Sequence, residues 1–156
     1  MKYILIIFSF IVILSIFIMK KYNKDKIIAL IKSYADKNSI NPAILLAIAE
    51  QESGFNNTSE NLSDPNGGSY GLFGLTLNIA KEFQPNITPE QLFNPDTNIK
   101  IAIQLLQANM KYTNTPEDIF NVWNSGLKKI DNSGYVPRTS PNLSLYMDKY
   151  NKWLNS

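Results

Sequence analysis

The sequence predicts an all-α fold: a helical domain over residues 27–156, preceded by a single apolar N-terminal helix within residues 1–21 and a short basic linker at 22–26. Three observations carry this prediction. The run from Tyr3 to Met19 contains no charged residue. Beyond it, apolar residues recur at three- and four-residue spacing in one segment after another, while no stretch alternates as a half-buried strand does. Asn-Pro and Thr-Pro pairs stand repeatedly where such segments begin, as a capping residue followed by proline does at a helix start.

Taken in order, Tyr3–Met19 as a helix would be about 26 Å long, enough to cross a thin bilayer. The run ends Ile18-Met19-Lys20-Lys21-Tyr22, without a small-x-small cleavage site. It is therefore expected to be an uncleaved transmembrane anchor. Ile27, Ile28, Leu30, Ile31 and Tyr34 then mark a helix that ends near Asp36-Lys37-Asn38. Asn41-Pro42 opens the next helix, whose apolar stretch Ala43–Ala49 leads to Glu50, Glu52 and Ser53 before Gly54 stops it. Residues 56–71 are rich in Asn, Asp, Ser and Gly, lack a helical period, and read as a loop.

Leu72–Phe83 reads as a short helix closed by Gln84-Pro85, and Thr88-Pro89-Glu90-Gln91 opens one more turn. Asn94-Pro95-Asp96 starts a long helix with Ile99, Ala102, Ile103, Leu105, Leu106 and Met110 turned inward. Thr115-Pro116-Glu117-Asp118 caps another that runs to Gly126. A looser stretch with Gly134 and Pro137 follows. The last helix, Asn142–Leu154, carries Leu143, Leu145, Tyr146, Tyr150 and Leu154.

Composition excludes several chemistries. The chain has neither histidine nor cysteine. A Ser-His-Asp triad, a Cys-His dyad, histidine-ligated zinc and thiolate metal sites are therefore impossible. Chemistry must run on carboxylates, hydroxyls, amides and lysines, and neither metal nor cofactor is expected. A net charge of +2 with scattered lysines gives no basic stripe, so no nucleic-acid partner is expected.

Glu52 is the first candidate for chemistry. A glutamate at a helix C-terminus is badly placed against the helix dipole, which favours cations there. Glu50, two residues away, lies on a different face and reads as a solvated carboxylate. Four of the chain's seven glycines, Gly67, Gly68, Gly71 and Gly74, follow within eight positions. They make either a flexible turn or the wall of a groove that a ligand approaches closely. The ending of a phosphate-binding loop is missing. A partly buried carboxylate facing such a groove has the raised pKa that a general acid needs. In Trp123-Asn124, the indole offers a face for a sugar ring, and the amide offers both a donor and an acceptor. Trp123 and Tyr146 are equally compatible with core packing.

These segments together resemble the lytic transglycosylases of bacterial cell walls, whose domain has a goose-type-lysozyme-like fold. That family shows a Glu-Ser pair, a Gly-Leu-Met-Gln block, Ala-Tyr-Asn-Ala-Gly and a late tyrosine. Here the same order runs Glu52-Ser53, Gly71-Leu72-Phe73-Gly74, Val122-Trp123-Asn124-Ser125-Gly126 and Tyr146. Asn94-Pro95-Asp96-x-Asn98-Ile99 is similar to the family's Asp-Pro-x-x-Asn-Ile helix start. The resemblance covers roughly residues 27–155.

The resemblance implies that Glu52 is the acid/base. It implies a substrate-binding set of Ser53, Ser63, Ser69, Tyr70, Gly71, Leu72, Phe73, Trp123, Asn124 and Tyr146. Three departures stand out: Gly74 replaces glutamine, Trp123 replaces tyrosine, and the loop between Glu52 and Gly71 is about four residues longer. The implied reaction cuts the bond between N-acetylmuramic acid and N-acetylglucosamine in peptidoglycan and closes a 1,6-anhydro ring, with one carboxylate and no water.

Asp64 leaves an alternative open. As a water base it would make the enzyme a goose-type-like muramidase; as a turn cap it would have no chemical role. A peptidoglycan-binding module without turnover is the third reading. The expected partners are glycan strands and, through residues 3–19, a membrane. A tethered local cut suits a virion component or a wall-opening part of a secretion machine. Lys20, Lys21, Lys24 and Lys26 follow the span, which would leave the domain in the cytoplasm, whereas a wall enzyme belongs on the other side.

Overall fold

In the computed structural model, residues 22–130 and 134–156 are described. Seven helices are found among them: α1 (Lys24–Lys37), α2 (Pro42–Ser53), α3 (Leu77–Phe83), α4 (Pro89–Leu92), α5 (Pro95–Met110), α6 (Pro116–Ser125) and α7 (Leu143–Leu154). Two small antiparallel sheets accompany them. One joins β1 (Glu60–Asn61), β2 (Ser69–Tyr70) and β3 (Leu75–Thr76), and the other is a hairpin of β4 (Leu127–Ile130) and β5 (Gly134–Pro137).

The core is built around α2. Asn41 caps it by accepting from the Ala43 N–H at 2.9 Å, and Pro42 occupies its first turn. Every residue from Ala43 to Ala49 is buried, so this helix is apolar all round and must be enclosed on every side. α1 covers it with the stripe Ile27, Ile31 and Ala35, and α7 packs along another flank. Burying each of Leu45, Leu46 and Ile48 contributes about 1.5–3 kcal/mol. α5 extends the core with Ile99, Ala102, Ile103 and Leu106, packing on α1, α4 and α6.

The exit from α2 is unusual. Gly54 and Phe55 both take left-handed backbone conformations, with φ of 60° and 67°. For a bulky residue that conformation is a true outlier. The packing around Phe55 holds it: its ring meets Trp153 of α7 edge-on at 5.7 Å, and the Lys24 ammonium lies 5.1 Å from its centroid. The chain thus reverses sharply after Ser53, which leaves Glu52 at an open end of a buried helix.

Several expectations need correcting. No helix among the described residues is long and apolar enough to cross a membrane. The longest, α5, has 16 residues and keeps a polar face, where a span needs about 20 predominantly apolar ones. Among the described residues the fold is therefore a helical domain with no membrane-crossing helix, which goes against the expected transmembrane helix and single-pass membrane protein. The expected anchor, Tyr3–Met19, lies outside the described residues. Lys24–Lys26, read as linker, form the first turn of α1.

Part of the expected helix Leu72–Phe83 is a glycine turn and β3; α3 starts only at Leu77, after Thr76 caps it by accepting from Ile79 at 3.4 Å. Met110, expected inside, is exposed, as are Leu145 and Leu154 of α7. Glu50, expected to be solvated, accepts from Lys152 Nζ at 2.7 Å and from Trp153 Nε1 at 2.6 Å. It pins α7 to α2.

Candidate active site

Glu52 stands one residue before the end of α2, and three elements converge on it. From α7, the Tyr146 hydroxyl donates to its Oε1. From α6, the Trp123 indole N–H donates to the same oxygen at 3.2 Å. From the turn between β2 and β3, Gly74 approaches the other oxygen: a Cβ there would lie 3.0 Å from Oε2. The two oxygens therefore differ. Oε1 is held by two donors, and Oε2 lies against a residue without a side chain.

Each donor is aimed by aromatic packing. The Tyr146 ring is buried and stacks on Phe120 of α6, with centroids 5.4 Å apart and planes 13° from parallel. Trp123 meets Phe73 edge-on at 6.0 Å. Burial pushes the Glu52 pKa up, and the hydrogen bonds from Tyr146 and Trp123 offset only part of that rise. Burial, and then the nearby Glu52 charge, push the Tyr146 pKa up as well, so the phenol keeps its proton and donates.

An open cleft of about 260 Å³ lies over this carboxylate. Its lining includes Glu52, Asp64, Phe73, Gly74, Trp123 and Asn124, with Thr76, Ile79 and Leu105 also contributing. Of the residues singled out in the sequence, Glu52, Asp64, Phe73, Trp123 and Asn124 meet here, and Tyr146 reaches Glu52 through its hydroxyl. Asp64 accepts from the Asn66 N–H at 2.9 Å, so it also holds its own turn.

The remaining residues of the set are placed differently. Ser53 Oγ donates to Leu72 O at 2.8 Å and sits 3.1 Å from Ala49 O, tying the end of α2 to the glycine turn. Tyr70 is buried edge-on against Phe93 at 5.8 Å. Ser69 pairs within the sheet, opposite Asn61 and Thr76. Gly71 and Leu72 are buried, and Ser63 is exposed on the loop. None of these six is part of the cleft lining.

Two residues that hold the site were not singled out as site residues in the sequence. Asn98, fully buried on α5, donates to Tyr70 O at 3.0 Å and Leu92 O at 2.9 Å, and accepts from the Phe73 N–H at 3.0 Å. It clamps the glycine turn from below. Gly71 permits this closeness, because a Cβ there would come within 2.4 Å of both Asn98 Nδ2 and Leu92 O. The second is Ser140, buried between α6 and α7, whose hydroxyl donates to Asn124 Oδ1 at 2.7 Å. The Asn98-Ile99 pattern pointed toward the first; nothing local marks the second. Among the described residues no cluster of three or more carboxylates is placed to hold a metal ion.

A small helical domain with a half-buried carboxylate at the floor of an open cleft has the build of a lysozyme-like glycan-cleaving enzyme. The family model of the Transglycosylase SLT domain matches residues 29–140, more than half of the chain, and the chain belongs to that family. It is thus a lytic transglycosylase, a glycan lyase that acts on peptidoglycan. No curated protein matches the chain. The matched range ends at Ser140, before α7 and Tyr146.

Proposed function

We propose that Glu52 is the single acid/base of this enzyme, and that it cuts between N-acetylmuramic acid and N-acetylglucosamine to leave a 1,6-anhydromuramoyl end. The observation that carries this reading is the unequal treatment of its two oxygens. With Oε1 occupied by Tyr146 and Trp123, Oε2 beside Gly74 is the oxygen left to work on substrate. Burial keeps the carboxyl protonated further up the pH scale than an exposed glutamate, as a general acid requires.

The steps balance with one carboxyl group. Oε2 gives its proton to the glycosidic oxygen as the C1–O bond breaks and the N-acetylglucosamine side leaves as an alcohol. The 2-acetamido group of the muramic acid supports the developing cation at C1. Glu52, now a carboxylate, takes the proton of the C6 hydroxyl while that oxygen bonds to C1. The anhydro ring closes, and Glu52 is protonated again for the next turn. Trp123 offers an apolar face to the sugars along the cleft, with the buried Phe73 packed edge-on against it, and Asn124 offers polar contact.

Asp64 lines the same cleft as Glu52, which favours one second reading: a water activated by Asp64 attacks C1, and the enzyme hydrolyses. The test of the main assignment is release of soluble fragments from purified peptidoglycan by Glu52→Gln. The expected loss is about a thousandfold or more, the scale of a general acid. An unchanged rate would remove Glu52 from the mechanism. Loss of activity in Asp64→Asn as severe as in Glu52→Gln would favour the hydrolytic reading.

A further inference from the structure

A second open groove, of about 730 Å³, lies between α1, α3 and α5. It shares no lining residue with the cleft over Glu52, yet the two are neighbours. On α3, Ile79 lines the cleft and Phe83 lines the groove. On α5, Leu105 lines the cleft and Ile101 lines the groove. Residues four apart stand on the same face of a helix. On both helices, therefore, one turn of about 6 Å separates the two sites.

The chemistry of the groove differs from that of the cleft. Asn38, Gln84, Gln104 and Gln107 line it, and each amide offers both donors and an acceptor. Such a row suits the alternating N–H and C=O groups of an extended peptide. Tyr34 and Phe83, both half-buried, add aromatic surface. The charge is one-sided: Lys100 lines the groove and no carboxylate does. The Lys100 ammonium lies 6.0 Å from the Tyr34 ring centroid, and the Lys37 ammonium lies 5.8 Å from the same point. Asp96 accepts from the Tyr34 hydroxyl at 2.8 Å, and among the described residues neither lysine forms an ion pair. Two unpaired cations beside one ring favour an anionic ligand.

We propose that this groove holds the peptide stem of the muramic acid whose bond is cut. Lys100 and Lys37 meet the carboxylates of the stem, and the amides pair with its backbone. The proposal rests on the reading that the cleft beside Glu52 binds that sugar. Reach supports it: an extended peptide advances about 3.3 Å per residue, so a stem leaving a sugar in the cleft crosses one helical turn within about two residues. Its acidic residues then come over Lys100. A strand stripped of its stems keeps only the lactyl carboxylate, which stays on the sugar in the cleft.

The experiment compares kcat/KM of the full chain on purified peptidoglycan and on glycan strands stripped of their stems by an amidase, for the wild type, Lys100→Glu and Lys100→Arg. On stem-bearing peptidoglycan Lys100→Glu is expected to lose about tenfold, chiefly through KM, the scale of one charge-assisted hydrogen bond. On stripped strands it should match the wild type. Lys100→Arg should keep the wild-type rates on both. Stem peptides released by the amidase should bind the wild type in an NMR titration and bind Lys100→Glu more weakly. Equal losses on both substrates would make the groove a sugar subsite, and no loss on either would leave it without this ligand. Either result overturns the proposal, as does stem-peptide binding that Lys100→Glu leaves unchanged. Full activity in Glu52→Gln would instead overturn the reading of the cleft, which keeps the two failures apart.

Discussion

Glu52 is a carboxyl group held where charge is disfavoured, and this has consequences for rate and for stability. Its folded pKa is raised above the unfolded value, chiefly by burial. Such a group destabilises the fold increasingly as pH rises through the folded pKa, and has no such effect below the unfolded value of about 4.3. Glu52→Gln keeps an acceptor for Tyr146 and Trp123 and removes the charge. It should therefore melt a few degrees higher than the wild type at pH 8, and the two melting temperatures should converge near pH 4. A differential thermal scan at both pH values checks this. Equal melting temperatures at pH 8 would mean that Glu52 is not held at a penalty.

For activity, the protonated form starts the reaction, so the rate should fall as pH rises through the raised pKa. Tyr146→Phe removes a donor that lowers that pKa. Its alkaline limb should shift upward while kcat/KM drops by about tenfold, as loss of a hydrogen bond to a charged group does. A pH–rate profile reads both.

At the scale of elements, the site depends on two clamps. Asn98 satisfies two carbonyls and one N–H around the glycine turn. Asn98→Ala leaves these groups buried without partners and should destabilise the protein by about 2–4 kcal/mol, measurable by urea unfolding. Glu50 is the other. Burial alone would raise its pKa, but the hydrogen bonds from Lys152 and Trp153 and the charges of Lys152 and Lys24 outweigh that and hold it low. Its contribution is present above the unfolded pKa of about 4.3 and is lost as pH falls through the depressed folded value. Lys152 is more than half exposed, so Glu50→Gln should destabilise by no more than about 1 kcal/mol at pH 7, and by progressively less on acidification.

The helices were legible in the sequence because their starts are written locally: Asn41-Pro42, Asn94-Pro95 and Thr115-Pro116 each cap the helix that follows. The small strands were not. β1, β2 and β3 have two residues each, too few to alternate, and their pairing is set by the turn that Asn98 closes from another element. Glu52, Trp123, Asn124 and Tyr146 could be singled out because each stands in a recognisable short motif. Their mutual contacts could not be read, since Tyr146 and Glu52 are 94 positions apart. The partnership of Glu50 with α7 was hidden for the same reason, and a helix-face argument alone leaves it in solvent.

For the whole molecule, α7 is the element that completes both fold and site, although it lies beyond the matched range of residues 29–140. It packs along α2, buries Tyr146, holds Phe55 through Trp153 and receives Glu50. A chain ended after Ser140 would expose the apolar flank of α2 and leave Glu52 without its tyrosine. Such a truncation should lose its cooperative thermal transition, and circular dichroism on heating would show it. A truncated chain that still melts cooperatively would place the stability in α1, α2 and α5 alone.

The most direct test of the single-carboxylate mechanism is the mass of the muropeptides released from purified peptidoglycan in ¹⁸O-enriched water. Closure by the sugar's own C6 hydroxyl predicts products lighter by one water than hydrolytic ones, with no ¹⁸O at the new end. Reducing ends that carry ¹⁸O would contradict it, and would make Asp64 the base of a hydrolase.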